Sequence, residues 1–362
     1  MPEALPTAET PAPPKPSPAG QKRYRRSRLL VVQWIGKDLV LLNCDTLRQF
    51  RVDTRLLEFI GGLDEWASIA EIQDSGRAID ERQIEGLVEM GVLEVAGPQA
   101  GEEGSRHYWD PLDLAVHRRH NFGGYREEVV REKRERGELP PPAFKPVPQG
   151  RVTILPKALP LPRPLDEVLN SRRSIRTYGD RPLKLEELSS VLWHSARIAG
   201  TLTDPFLGEH AFKPYPAGGG RSEHEIYVVA NDVEGLEAGA HYFDARDHRL
   251  IQIKYKDEHQ ETINTWGSTA TGGSLNRAPN AIFLITAVFA RIMWKYQGIG
   301  LSTILRNTGS LYQTLYLTST ALGLAPCGIG GGPELANARW LGLDPLIESQ
   351  VGAVLLGTRP EA

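Results

Sequence analysis

The sequence predicts an α+β protein: a small strand-and-helix module followed by a larger domain built on a buried sheet. Three observations predict it. Short apolar or alternating runs between Leu29 and Val95 are interleaved with helical phrases. APNAIFLITAVFAR, Ala278 to Arg291, is apolar almost throughout, as a strand covered on both faces requires. It leads into a stretch where Leu301, Ile304, Leu305, Leu311, Leu315 and Leu322 keep helical spacing, with small Gly, Ser and Thr residues between them.

Taken in order, residues 1–24 are rich in Pro and Ala, lack a hydrophobic signal core and read as a disordered tail. QKRYRRSR, with five basic residues, is read as a charged lead-in to a strand. The module spans residues 25–100. LLVVQWIG and KDLVLLNC form a hairpin about Gly36-Lys37-Asp38, and RQFRVD supplies a third strand. Thr54 is expected to cap the helix TRLLEFIGGL; SIAEIQDS and DERQIEGLVEMG are further helices, and VLEVAG closes as a strand. Gly97 to Gly104 is a linker, and residues 101–154 form a charged helical and Pro-rich connector. The main domain takes residues 155–362. It opens with a helical phrase from Asp166, its expected N-cap, to Ser171; a second helix carries Leu185, Leu188, Val191, Leu192, Ser195 and Ala199 on one face, with Gly200 as its stop.

Composition excludes several function classes. Net charge is −3, so no global excess of positive charge argues for nucleic acid or an anionic membrane surface. No apolar run approaches the roughly 20 residues a spanning helix needs. The only two cysteines, Cys44 and Cys327, have no metal or disulfide-framework spacing, which suits a reducing compartment. The expectation is a soluble cytoplasmic protein. His117 and His120 flank two arginines with no Cys or carboxylate at ligand spacing, so no metal is expected there or at His107.

Chemistry concentrates in SRRSIR. Arg172, Arg173 and Arg176 around Ser174 place three guanidiniums and a hydroxyl within five residues, donors suited to an anionic ligand. Arg-x-Ser-x-Arg, a Pro-Leu turn and then Leu-x-x-Leu into a helix resembles the opening of the nitroreductase superfamily, which binds flavin mononucleotide (FMN). The resemblance implies a nitroreductase-like FMN-binding fold, with Arg172 and Ser174 on the ribityl-phosphate arm and Arg176 at the pyrimidine edge of the ring; Arg173 joins the set. Further on, Pro216-Ala217-Gly218-Gly219 and EIYVVANDVEGLEAGAHYFDARDHRL resemble phrases of the SagB-type dehydrogenases, a branch that oxidises azolines in ribosomally made peptides. Ala217 stands where that branch has Ser. APCGIGGGPELANARW resembles its glycine-rich phrase against the flavin, giving Gly328, Ile329 and Gly330 as cofactor-binding candidates.

In the same branch a Lys-Tyr pair follows the apolar strand, and Lys295-Tyr296 occupies that place. Azoline oxidation needs an acceptor for a hydride and a base for a carbon-bound proton. The resemblance assigns the hydride to flavin N5, the proton to Lys295 or Tyr296, and reoxidation to oxygen. It implies a homodimer, a leader-bearing peptide substrate, thiazole or oxazole products, and a partner cyclodehydratase. The N-terminal module resembles winged-helix modules that bind leader peptides by strand addition, or else only supports the enzyme. Asn307 and Ser310 replace the acid and His usual in the branch. A divergent substrate accounts for that, and so does a non-catalytic scaffold subunit. Another flavin dehydrogenation or an NAD(P)H nitroreductase is the rival among enzymes, although no G-x-G-x-x-G follows a strand.

Overall fold

The computed structural model describes residues 22–76, 79–96, 108–120, 124–253 and 257–361. Residues 1–21, the whole Gly97–Gly104 linker expectation and His107 lie outside the described residues. The chain divides into two units, before and after the 123/124 junction.

The first unit runs β1 (Tyr24–Arg26), β2 (Leu30–Ile35), β3 (Asp38–Asn43), β4 (Gln49–Arg51), α1 (Thr54–Gly61), α2 (Ile69–Asp74), α3 (Glu81–Glu89), β5 (Leu93–Val95) and α4 (Pro111–Arg119). The order β2-β3-β4 makes one antiparallel sheet, and β1 pairs antiparallel with β5. Tyr24, placed in the tail by composition, is a core residue 2% exposed beside Leu41, Ile60, Ile72 and Ile84. Asp53, not Thr54, caps α1, because its carboxylate accepts the Leu56 N–H. Capping boxes at Ser68/Glu71 and Asp80/Gln83 fix the starts of α2 and α3.

The second unit begins with β6 (Gly124–Tyr125), α5 (Glu127–Glu135), β7 (Val152–Ile154), α6 (Leu165–Ser171), β8 (Leu183–Lys184), α7 (Leu185–Ala196), β9 (Gly200–Asp204) and β10 (Gly208–Phe212). There follow β11 (His224–Ala230), β12 (Val233–Glu234), β13 (Gly239–Asp244), β14 (Arg249–Gln252), α8 (Asp257–Ala270), β15 (Ala281–Val288), α9 (Phe289–Met293) and β16 (Tyr296–Gln297). The unit ends with α10 (Gly300–Ala321), β17 (Ala325–Ile329), α11 (Glu334–Trp340) and β18 (Glu348–Gly357).

Its centre is a seven-stranded antiparallel sheet ordered β17-β18-β15-β11-β13-β14-β7. Alternate residues of β11 enter opposite cores. Ile226 and Val228 meet Leu188 and Leu192 of α7 and Leu311 and Leu315 of α10, whereas Tyr227 and Val229 lie with Ile263 of α8 and Trp340 of α11. Helices therefore cover both faces, which is why β11 and β15 are almost wholly apolar and buried.

Three boundaries differ from expectation. Helix α6 starts at Leu165 with Pro164 before it and no side-chain cap, so Asp166 lies inside the first turn. Helix α7 ends at Ala196 rather than Gly200: the Ile198 and Ala199 N–H groups donate to the carbonyls of Ala245 and Phe212, and Gly200 opens β9. The apolar run ends as a strand at Val288, because the Phe289 N–H donates to the Ile347 carbonyl and the chain turns into α9. The proline-rich connector is anchored: Lys145 holds Glu348 at 2.7 Å, and the Arg246 guanidinium lies over Phe144. Among the described residues, no helix is long and apolar enough to cross a membrane.

Candidate active site along the long helix

Helix α10 has 22 residues, about 33 Å at 1.5 Å per residue, and two groups of candidate residues gather along it. Near its start lies the turn Gly218-Gly219-Gly220. The Gly218 N–H donates to Asn307 Oδ1 (3.2 Å), and the Asn307 amide donates to Glu223 Oε1 (2.6 Å). Gly219 has φ +65°. A Cβ there would stand 2.5 Å from the Tyr296 hydroxyl and 2.9 Å from Lys295 Nζ, and one on Gly218 would stand 2.7 Å from Thr303 Cγ2. Side-chain-free backbone is what lets this turn pass beside the Lys-Tyr pair.

Burial pushes the Lys295 ammonium below the usual lysine range, and the nearby Arg221 charge pushes the same way; Asp204 opposes them. Burial drives the Tyr296 phenol up, against Arg221. Arg221 is fully buried and donates to the carbonyls of Leu207 and Glu209 on the β9–β10 hairpin, of Pro141 in the connector and of Arg291. It ties three segments together beside the pair. Burial also raises the Glu223 carboxyl, whose Oε2 has no partner among the described residues. Next to it, burial drops the His224 imidazole to about 3. Its ring nitrogens sit against Tyr215 and Thr308.

The second group lies towards the other end of α10. The Ser174 and Tyr316 hydroxyls are 2.7 Å apart, and the Tyr316 oxygen accepts the Gly328 N–H (2.6 Å). The Arg172 guanidinium lies over the Tyr316 ring. The Ile175 N–H bonds the Pro326 carbonyl, clipping the arginine turn to β17. The Tyr312 hydroxyl donates to the Ile329 carbonyl and accepts the Ala353 N–H. Neither Arg172 nor Arg176 has a carboxylate partner among the described residues.

The structure thus brings Lys295, Tyr296, Gly218 and Gly219 together, and separately Arg172, Ser174, Gly328 and Ile329. The other expected site residues have the following surroundings. The Gly328 N–H, expected to face a flavin, is donated to Tyr316, and the Ile329 carbonyl is held by Tyr312. Arg173 is exposed and turns back on the carbonyls of Asn170 and Arg172. Pro216 is exposed, Ala217 packs on the apolar core, and a Cβ at Gly330 would meet only open space. Cys327 is a buried core residue, and Arg359 donates to the Leu324 carbonyl. Sequence reasoning missed Arg221, Glu223, Tyr312, Tyr316 and Tyr125. A legible signal existed for Glu223 alone: three ionisable residues, Glu223-His224-Glu225, stand at the head of an otherwise apolar strand.

Residues 169–358, just over half of the chain, match the model of the nitroreductase family. The chain belongs to the nitroreductase family. It is 31% identical over 166 residues to the protein named "Putative nitroreductase MJ1384" of Methanocaldococcus jannaschii, covering 46% of this chain and 78% of that one. It is 28% identical over 176 residues to the trifolitoxin-processing protein TfxB of Rhizobium leguminosarum bv. trifolii, covering 48% of this chain and 47% of that protein. Among solved structures, the E. coli microcin synthetase McbBCD complex with truncated pro-MccB17 bound aligns at TM-score 0.42 and 16% identity, over 71% of this chain and 96% of that one.

The residues present fit the family's cofactor. Arg172 and Arg176, two guanidiniums without carboxylate partners among the described residues, and the Ser174 hydroxyl are donors that suit the phosphate and pyrimidine oxygens of FMN.

Proposed function

We propose that this protein is an FMN-dependent dehydrogenase that oxidises azolines to azoles in a ribosomally synthesised peptide. The observation that carries this reading is the Lys295–Tyr296 pair beside side-chain-free backbone at Gly219, with Lys295 pushed towards its neutral form. When bound, FMN supplies the hydride acceptor and returns the electrons to oxygen. Lys295 as a neutral amine accepts the ring-carbon proton, and Tyr296, kept protonated by burial, donates a hydrogen bond that orients the substrate. Arg172 and Ser174 would hold the phosphate arm, and Arg176 the pyrimidine edge, where a cation favours reduced flavin. Asn307, which stands where the branch has an acid, keeps a task here: it carries the Gly218 N–H.

Similarity to TfxB, whose name describes processing of trifolitoxin, supports a peptide as substrate. Azolines arise by cyclodehydration of Cys, Ser or Thr, so a cyclodehydratase acts first, and a leader segment outside the reacting residues is the natural handle for both enzymes. A homodimer is part of the proposal. Leu301 and Leu305, one turn apart on α10, are 41% and 50% exposed, an apolar stripe for a second copy. In such a dimer, the two residue groups along α10 that share one cofactor can come from different copies.

Similarity to the archaeal nitroreductase favours a second reading, reduction by NAD(P)H. Anaerobic mixing separates them. An azoline peptide is expected to bleach the flavin absorbance and NADH is not; bleaching by NADH alone rules out the dehydrogenase reading.

A further inference from the structure

Four observations point to the segment following the 123/124 junction. Strand β6 pairs antiparallel with β16, setting Tyr125 opposite Tyr296 and Gly124 opposite Gln297. Lys295 Nζ lies 5.3 Å from the Tyr125 ring centre and 5.3 Å from that of Tyr296. One helix further on, Lys133 of α5 donates to the Trp294 carbonyl at 2.8 Å and lies over the Trp294 ring. Arg134 reaches the Pro205 carbonyl at the tip of the β9–β10 hairpin. A pairing of two residues a side stabilises little by itself, and Tyr125, 44% exposed, contributes little to any core. What the segment does is grip three consecutive residues, Trp294, Lys295 and Tyr296.

We infer that residues 124–136 are a strap of the active site, in which Tyr125 is a positioning residue: its ring and that of Tyr296 flank the Lys295 side chain, while Lys133 fixes the backbone one residue earlier. This rests on the reading of Lys295 as the base. A lysine side chain has four rotatable bonds, and unrestrained it samples many positions. The two ring faces narrow that choice, and at this distance they attract the ammonium that forms as Lys295 takes the proton. The charged groups acting on Lys295 are Arg221, which disfavours its ammonium, and Asp204, which favours it.

The test compares Tyr125→Ala with Tyr125→Phe in the flavin-loaded protein labelled with 13C at lysine Cε, the Lys295 resonance being assigned by its loss in Lys295→Arg. Ring currents from both tyrosines displace that resonance upfield. Tyr125→Ala is expected to lose part of the displacement and Tyr125→Phe to keep it, with flavin content and melting temperature unchanged in both. With azoline peptide, Tyr125→Ala is expected to lower kcat roughly 2- to 30-fold, the equivalent of one cation–ring contact, with KM kept; Tyr125→Phe restores kcat. An unmoved Lys295 resonance in Tyr125→Ala overturns the inference, as does a Tyr125→Phe variant that behaves like Tyr125→Ala. The two readings fail separately. Turnover in Lys295→Ala removes the base assignment and leaves the resonance shift standing. A dead Lys295→Ala beside an unmoved resonance removes the strap alone.

Discussion

In the proposed mechanism Lys295 accepts the proton, and its environment decides whether it can act. A lysine held in the usual range is almost fully protonated near neutral pH; burial beside Arg221 lowers it and enlarges the neutral fraction. The rate is therefore expected to rise with pH through that lowered pKa and level off above it. Lys295→Ala is expected to keep flavin, lose about 10²- to 10⁴-fold in turnover and lose that pH-dependent limb, read from kcat/KM against pH. Tyr296→Phe is expected to retain flavin and lose turnover as well. Gly219→Ala places a methyl group against Tyr296 at a backbone angle that L residues avoid; a loss of about 1–3 kcal/mol in denaturant unfolding is expected. At this scale the resemblance to the SagB-type branch singled out Lys295 and Tyr296 as candidates, at their place after an apolar strand. It could not show Tyr125, whose approach to Lys295 depends on a β-pairing between residues far apart in the chain.

At the scale of elements, the head of β11 and the middle of α10 act together. Glu223, buried and raised by burial, is linked through Asn307 to Gly218. A carboxyl whose folded pKa is raised binds its proton more tightly when folded. Its contribution is therefore fully present below the unfolded value near 4.3 and is lost as pH rises through the folded value. Glu223→Gln keeps the shape without the charge. Its stability relative to the parent protein is expected to increase with pH above about 4.3, as read by urea unfolding across pH; a difference that does not change with pH contradicts the burial of Glu223. The spacing of Ile304, Leu311 and Leu315 made α10 legible. It did not reveal that Tyr312 and Tyr316 hold the carbonyl of Ile329 and the N–H of Gly328, because such contacts depend on where β17 lies. The β9–β10 hairpin went unread for a related reason: its turn is made by Asp204 accepting the Phe206 and Leu207 N–H groups, and polar residues alternate weakly around it.

For the whole molecule, membership of the nitroreductase family covers residues 169–358, and the preceding unit stands outside that match. The sheet order was not legible, since seven antiparallel strands drawn from residues 152–357 include pieces read only as connector, such as β7. If the proposed dimer completes the cofactor site, charging the Leu301–Leu305 stripe with Leu301→Asp and Leu305→Asp is expected to give monomers that lose flavin, as followed by light scattering and absorbance. A monomeric double variant that stays yellow contradicts that arrangement. The central claim, dehydrogenation of a peptide azoline, is tested most directly by mass spectrometry of an azoline-bearing peptide incubated aerobically with the flavin-loaded protein. The proposed chemistry predicts a loss of about 2 Da per ring with the parent protein and none with Lys295→Ala. A peptide mass left unchanged by fully flavin-loaded protein would contradict it.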